Sequence, residues 1–182
     1  MEQGFVGAGQ MLAWAADLGV MILGAQTKDN THIFGTLHPT TGVWTQVASI
    51  SGLDLDVLGG SSAYVPGKKL FVFQLGGDGV IDNYSLDMVS FKIHNTSNTA
   101  KMNIESMAYN PKDGLIYGLS LAIKGGLWNR SIVALNPLTL KIGVKGTSCS
   151  PIFSPLHHPC LAVRSHHLAA LCRIHPSHSA HT

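Results

Sequence analysis

Apolar and polar residues alternate along most of the chain in short runs that are separated by turn residues. In residues 106–120 (SMAYNPKDGLIYGLS), an apolar-aromatic run leads into the polar turn Asn110–Gly114, and a second apolar run leaves it. Proline fixes φ and glycine permits positive φ, so this composition favours a sharp turn. Runs of this length, bounded by turn residues, predict short β-strands.

The same turn occurs three times. The stretches AWAADLGVMIL, AYVPGKKLFVF and AYNPKDGLIYG each begin with alanine and an aromatic residue, and an apolar strand starts seven residues after the alanine. These strand starts are Val20, Leu70 and Leu115. A second landmark, leucine followed by His, Asp or Asn, recurs every 49 residues, at Leu37, Leu86 and Leu135. Two landmarks in the same order at nearly the same period indicate a repeated unit with about four short strands.

Four antiparallel strands in a unit of about 45 to 50 residues are typical of a β-propeller blade. Such a small sheet cannot bury both of its faces alone, so blades stack on their neighbours. We therefore predict an all-β fold in which residues 1–146 form a partial β-propeller of about three four-stranded antiparallel blades. A single β-sandwich also explains the strands and turns, but it does not explain why the whole unit recurs.

The middle unit resembles a kelch blade. Kelch blades carry a Gly-Gly pair after an apolar strand, then a tyrosine and, seven residues later, a tryptophan. Here Gly76 and Gly77 follow an apolar strand, and Tyr84 is followed by Phe91 where the tryptophan would stand. The first and third units keep less of this motif. The resemblance implies a platform that binds other proteins; the copper oxidases of this class are disfavoured, because the three units contain no cysteine.

The loops that join the middle strands of each unit are the predicted binding segments for a protein partner. They span residues 26–31, 76–78 and 124–129. The predicted binding residues are Gln26, Thr27, Lys28, Asp29, Gly76, Gly77, Asp78, Lys124, Gly125 and Gly126. No Ser-His-Asp set or nucleophile elbow is present, so we assign no catalytic residue and no cofactor. The alternative function is an enzyme whose active site lies on the propeller axis and is completed by other blades or chains.

Three blades are fewer than the roughly four to eight that close a propeller. An open arc leaves two blade faces exposed, which are candidates for self-association. We expect either that several chains complete a ring or that the chain is a truncated form of a longer propeller. An abrupt change of composition after Gly146 favours the second explanation.

Residues 147–182 contain all three cysteines and seven of the ten histidines, and they lack Asp, Glu, Lys, Tyr, Trp and Asn. We predict an irregular, low-complexity tail that is disordered. Cys172, His175 and His178 are zinc-type ligands spaced three apart. A structural zinc site usually combines two close ligand pairs, and no C-x-x-C pair is present, so we predict no metal site.

Composition narrows the partner classes. Hydrophobic residues make up 45% of the chain, charged residues 12%, and the net charge is +2. The high hydrophobic content and the low charged content argue against disorder over most of the chain. The small net charge gives no reason to expect nucleic acid as a partner. The apolar stretch Gly4–Ala25 could be mistaken for an export signal or membrane anchor, but no basic residue precedes it and Asp17 lies within it. We interpret it as two buried strands around a turn, with no membrane partner and a cytoplasmic location by default.

The glycine pairs and the acidic loop of residues 51–62 do not match the motifs of nucleotide or calcium sites. None of the glycine pairs lies between a strand and a helix, as a phosphate-binding loop requires. Asp54 and Asp56 lie beside glycines, but a calcium loop needs several more oxygen ligands at fixed spacing. We therefore interpret these segments as solvated connections between strands.

Overall fold

Twelve β-strands make up most of the residues that the computed structural model describes, which are 5–51, 61–77, 80–95, 103–124 and 127–147. They form three four-stranded antiparallel sheets. Blade 1 consists of β1 (Phe5–Ala15), β2 (Val20–Thr27), β3 (His32–Leu37) and β4 (Trp44–Ile50). Blade 2 consists of β5 (Ser62–Val65), β6 (Leu70–Gly77), β7 (Val80–Asp87) and β8 (Ile93–Asn95). Blade 3 consists of β9 (Asn103–Asn110), β10 (Leu115–Lys124), β11 (Leu127–Leu135) and β12 (Ile142–Thr147).

Each sheet is a meander in which every strand pairs with the next one along the chain. The three predicted strand starts, Val20, Leu70 and Leu115, are the first residues of β2, β6 and β10. The predicted unit of four antiparallel strands is thereby confirmed. Thr147, the first residue of the predicted tail, ends β12, and the rest of the tail, residues 148–182, lies outside the described residues.

The turn between the first and second strands of each blade ends on a left-handed residue. These residues are Gly19 (φ 65°), Lys69 (φ 50°) and Gly114 (φ 73°). In blade 2 the preceding residues, Pro66–Lys68, form one 3₁₀ turn, and the Lys69 amide donates to the Pro66 carbonyl at 3.0 Å. This turn contains Gly67, but positive φ falls on Lys69, the residue directly before the strand.

The second landmark is a turn between the third and fourth strands. His38, Asp87 and Asn136 begin it, and each accepts a backbone N–H bond on its side chain, at 3.3 Å, 2.8 Å and 2.9 Å respectively. The residue four positions later has positive φ and donates its amide to the backbone carbonyl of the first residue. These left-handed residues are Gly42, Phe91 and Leu140. The 49-residue period therefore repeats a complete turn geometry, although its side chains differ.

Blade 2 packs on blade 1 through an aromatic core. Phe34 of β3 lies against Phe71 and Phe73 of β6, with ring centroids 6.5 Å and 4.4 Å away. Phe73 in turn stacks on Tyr84 of β7 at 5.5 Å. The three phenylalanine side chains are fully buried. Buried aromatic side chains contribute large apolar areas, so this joint is dominated by the hydrophobic effect.

Blade 2 packs on blade 3 through its opposite face. Val72 of β6 joins Ile116, Leu135 and Leu140 of blade 3 in a second buried cluster. Because successive side chains of a strand point to opposite faces, β6 buries Phe71 and Phe73 on one side and Val72 on the other. Both faces of the middle blade are covered, as stacking of blades requires.

The joint between blades 2 and 3 also contains buried polar groups. Gln74 Nε2 donates to Asn83 Oδ1 at 2.8 Å, and Asn83 Nδ2 donates to the Leu140 carbonyl of blade 3 at 3.1 Å. The Ile104 amide of blade 3 donates to Gln74 Oε1 at 2.8 Å. The hydroxyl of Ser61 donates to the Ile104 carbonyl. Gln74 and Asn83 are 1% exposed, so this amide pair joins two blades within a buried interface.

The first strands of successive blades lie side by side, because β5 contacts both β1 and β9. Ser62 donates to the Leu12 carbonyl at 3.4 Å, and Tyr64, two residues later, donates to Asp17 at 3.2 Å. The two strands therefore run in the same direction, so equivalent ends of blades 1 and 2 lie on the same side of the molecule.

The apolar segment near the start of the chain forms β1 and β2, joined by the turn that ends at Gly19. This confirms two strands around a turn, but the strands are not wholly buried, because Leu12 and Trp14 of β1 are 44% and 52% exposed. Within the described residues, no helix is long and apolar enough to cross a membrane.

Candidate binding surface

The three predicted binding loops overlap the end of the second strand of each blade, and the third, residues 124–129, also includes the first residues of β11. Gln26 and Thr27 end β2, Gly76 and Gly77 end β6, and Lys124 ends β10. Lys28 and Asp29 lie in the exposed turn between β2 and β3. Asp78, Gly125 and Gly126 lie outside the described residues. The meander topology of the sheets therefore assigns all three loops to the end of the blade where the first strand begins.

The loop of blade 1 is held by bonds among its own residues. The Thr27 amide donates to the Thr31 carbonyl at 2.9 Å, and the Asn30 amide donates to the Thr27 carbonyl at 3.2 Å. Asn30 has a left-handed backbone (φ 58°), a conformation that asparagine tolerates better than most residues. The Gln26 side chain donates to Asn30 Oδ1 at 3.2 Å. These bonds fix the loop in one compact conformation at the end of the blade.

Asp29 is the acidic group of this loop. The Thr27 hydroxyl donates to Asp29 Oδ1, and the Thr31 hydroxyl donates to Asp29 Oδ2 at 3.4 Å. The Thr27 bond is the main reason that the pKa of Asp29 lies below its ordinary value, because hydrogen bonds to the carboxylate favour the charged form. The loop therefore presents an ionised carboxylate beside the exposed ammonium group of Lys28.

A hollow of about 400 Å³ lies between this loop and β4, the last strand of blade 1. Its lining residues are Thr27, Lys28, Asp29, Thr31, Ile33, Gln46 and Ser49. All of them except Ile33 carry polar groups, so the hollow offers hydrogen-bond donors and acceptors around a single apolar side chain. Such a lining suits a polar or charged side chain of a partner.

Gln46 and Ser49 belong to the hollow, and the sequence did not single them out. Both lie on β4, which pairs with β3 in the register Gly35 with Gln46 and Ile33 with Ser49. The strand pairing therefore brings them beside the loop. The pairing of β3 with β4 is interrupted by a bulge after Phe34, and this register decides which residues of β4 line the hollow.

His32 begins β3, directly after the loop, and its side chain is completely buried. Neither ring nitrogen has a hydrogen-bond partner among the described residues. Burial lowers the pKa of His32, since desolvation disfavours the charged imidazolium. His32 and Ile33 point to opposite faces of the strand, so the histidine lies away from the hollow. In the part of the chain that the structure describes, no three His, Cys, Asp or Glu side chains are grouped to hold a metal ion.

Comparisons with known proteins give a fold and no family. No protein-family model matches the chain, and no curated protein matches it either. Among solved structures, a putative TolB from Agrobacterium tumefaciens superposes with a TM-score of 0.55 at 16% identity, covering 79% of this chain and 48% of that chain. A chain of a nidogen–laminin complex superposes with a TM-score of 0.53 at 13% identity, covering 75% of this chain and 47% of that chain.

Both of these structures are β-propeller neighbours, and together with the three four-stranded sheets they establish a partial β-propeller. At such low identity the likeness concerns the fold alone. The matched region spans about half the length of each neighbour's chain.

Proposed function

We propose that the chain is a non-catalytic protein-interaction module built from kelch-like propeller blades. It contacts a protein partner through the loops that join the second and third strands, and blade 1 contributes the principal contact. The observation that carries this proposal is the loop of residues 26–31, which is fixed by its own hydrogen bonds and borders a hollow of about 400 Å³. A rigid loop loses little conformational entropy on binding, which favours affinity.

The chemistry of the hollow supports a polar contact on the partner. Lys28 and Asp29 carry opposite charges and are both exposed, so they suit a partner surface that offers both signs of charge. Gln46 and Ser49 add amide and hydroxyl groups on the other side of the hollow. Gly76 and Gly77 at the end of β6 and Tyr84 in β7 support the kelch-like character of the middle blade, because they follow the order of the kelch motif.

Affinity capture with the purified chain, followed by mass spectrometry, identifies the partner. Lys28→Glu and Gln46→Arg then test the site, the first by reversing a charge and the second by filling the hollow. We expect each substitution to weaken partner binding by about tenfold or more. Lys92→Glu is the matched control, since Lys92 is an exposed lysine in the turn between β7 and β8, at the opposite end of the blades.

Deletion of all three loops provides the decisive outcome. Recovery of the same partner in unchanged amount from the triple-deletion variant, with its β-sheet circular dichroism intact, removes the proposal. Equal losses with Lys28→Glu and Lys92→Glu also contradict it, because a nonspecific charge effect would then explain both.

A further inference from the structure

The three blades form a stack, and two positions of the repeat show that each end of this stack lacks a neighbouring blade. Trp14 pairs with Met21 in blade 1, in the same register in which Tyr64 pairs with Phe71 in blade 2. Tyr64 is 6% exposed because it packs into the core shared with blade 1, whereas Trp14 is 52% exposed. The face of blade 1 that points away from blade 2, called its outer face here, therefore exposes an aromatic residue. The equivalent residue of blade 2 is buried between two blades.

Blade 3 shows the reciprocal feature. Leu119 pairs with Ile132, in the register in which Gln74 pairs with Asn83 in blade 2. The amide pair is buried against blade 3, but Leu119 is 41% exposed and Ile132 is 37% exposed. These two side chains point away from Ile116 and Val133, which face blade 2. Exposed apolar residues that occupy buried positions of a repeat indicate a surface that a neighbour covers.

The two outer faces match each other better than they match an inner face. The face of blade 2 that meets blade 3 uses an amide pair bonded to the backbone of Ile104 and Leu140. At the equivalent positions Leu119 and Ile132 have no polar groups, so they need an apolar surface opposite them. Leu12, which is 44% exposed, and Trp14 supply such a surface on the outer face of blade 1.

We propose that the outer face of blade 1 docks on the outer face of blade 3 of a second copy of this chain, so that two copies close a six-bladed ring. Six blades lie within the roughly four to eight that close a propeller. The superposition covers 48% and 47% of the two propeller neighbours, so two copies supply the length of one such chain. Each contact joins different faces, and a two-fold axis generates it twice, which closes the assembly.

Light scattering after size-exclusion chromatography tests this dimer, with a mass of twice 19.3 kDa as the expected result. Thermal unfolding over about a hundredfold range of concentration is expected to show a melting temperature that rises with concentration, because association and folding are linked. Trp14→Glu and Leu119→Glu each place a charge in both copies of the contact, and each is expected to weaken the dimer by about a hundredfold or more. Leu138→Glu, at an exposed leucine in the turn between β11 and β12, is the matched control.

Mixing the two charged variants distinguishes this arrangement from any other dimer. A heterodimer of Trp14→Glu and Leu119→Glu has one contact with both charges and one contact with neither, so the mixture is expected to recover part of the dimer. A dimer through identical faces would instead survive one of the two substitutions unmixed.

Three outcomes overturn the proposal. They are a monomer at the highest concentration, a dimer that survives both substitutions, and a ladder of larger species, which would mean that the contact does not close at two copies. A wild-type monomer would leave the outer faces to blades of another chain. Circular dichroism of each variant at low concentration shows whether its blades remain folded, and a variant is used only if its spectrum matches the wild type.

Discussion

The buried amide pair between blades 2 and 3 gives the sharpest test of what holds the blades together. Asn83→Leu keeps the approximate size of the side chain but removes its polar groups. Gln74 Nε2 then loses its acceptor at 2.8 Å, and the Leu140 carbonyl loses its donor at 3.1 Å. Both groups are in an interface where Gln74 is 1% exposed, so water cannot replace the lost partner without opening the joint.

The expected cost follows from the number of polar groups affected. A buried donor or acceptor that loses its partner costs about 1 to 3 kcal/mol. Two groups each lose one hydrogen bond, so Asn83→Leu is expected to lower the free energy of unfolding by about 2 to 6 kcal/mol. A typical domain has only about 5 to 15 kcal/mol of stability in total, so the effect is large.

A double-mutant cycle isolates the bond within the pair. Gln74→Leu removes the acceptor of the Ile104 amide together with the same amide–amide bond. Because both single substitutions remove that bond, the cost of the double variant Gln74→Leu/Asn83→Leu is expected to fall short of the sum by about 1 kcal/mol or more. Additive costs would show that the two amides do not act as a pair.

Urea unfolding at one fixed protein concentration measures these differences, with tryptophan fluorescence as the signal. Gln46→Leu is the control, because Gln46 is exposed and its loss is expected to change stability by less than about 0.5 kcal/mol. A cost below about 1 kcal/mol for Asn83→Leu would refute the reasoning, since the pair would then contribute no more than an exposed amide.

Two further predictions concern single residues. Burial depresses the pKa of His32 below its ordinary value of 6.5, so the unfolded chain binds a proton more readily than the folded one. The free energy of unfolding should therefore fall as the pH drops below about 6.5. His32→Phe should remove this part of the pH dependence, as measured by thermal melts at pH 7 and pH 5. Lys69→Gly should raise stability by about 0.5 to 1 kcal/mol in urea unfolding, because φ is 50° there, while Gly114→Ala, at φ 73°, should lower it. A pH slope unchanged by His32→Phe, or a loss of stability with Lys69→Gly, would contradict these accounts.

The repeat was visible in the sequence because each landmark corresponds to a physical requirement. Val20, Leu70 and Leu115 begin strands directly after a left-handed residue, and Leu37, Leu86 and Leu135 are each followed by the residue that begins the second turn. Turn chemistry and strand alternation are local properties, so the four-stranded unit and its period were predictable.

The contacts between blades were not predictable in the same way. Gln74 and Asn83 look like ordinary polar positions of two strands, and only the packing of blade 3 over them makes them a buried pair. The contribution of Gln46 and Ser49 to the hollow depends on the bulge between β3 and β4, which no local pattern marks. Properties that depend on register and on neighbouring blades require the folded structure.

The two joints inside the chain differ in their balance of apolar and buried polar contacts, and this predicts different responses to temperature. The joint around Phe34, Phe71 and Phe73 depends on apolar burial, which is entropic near room temperature and weakens on cooling. The joint around Gln74 and Asn83 adds hydrogen bonds, whose strength does not depend on that entropy. We therefore expect cooling to weaken the joint between blades 1 and 2 more than the joint between blades 2 and 3, so that blades 2 and 3 stay together longer in the cold.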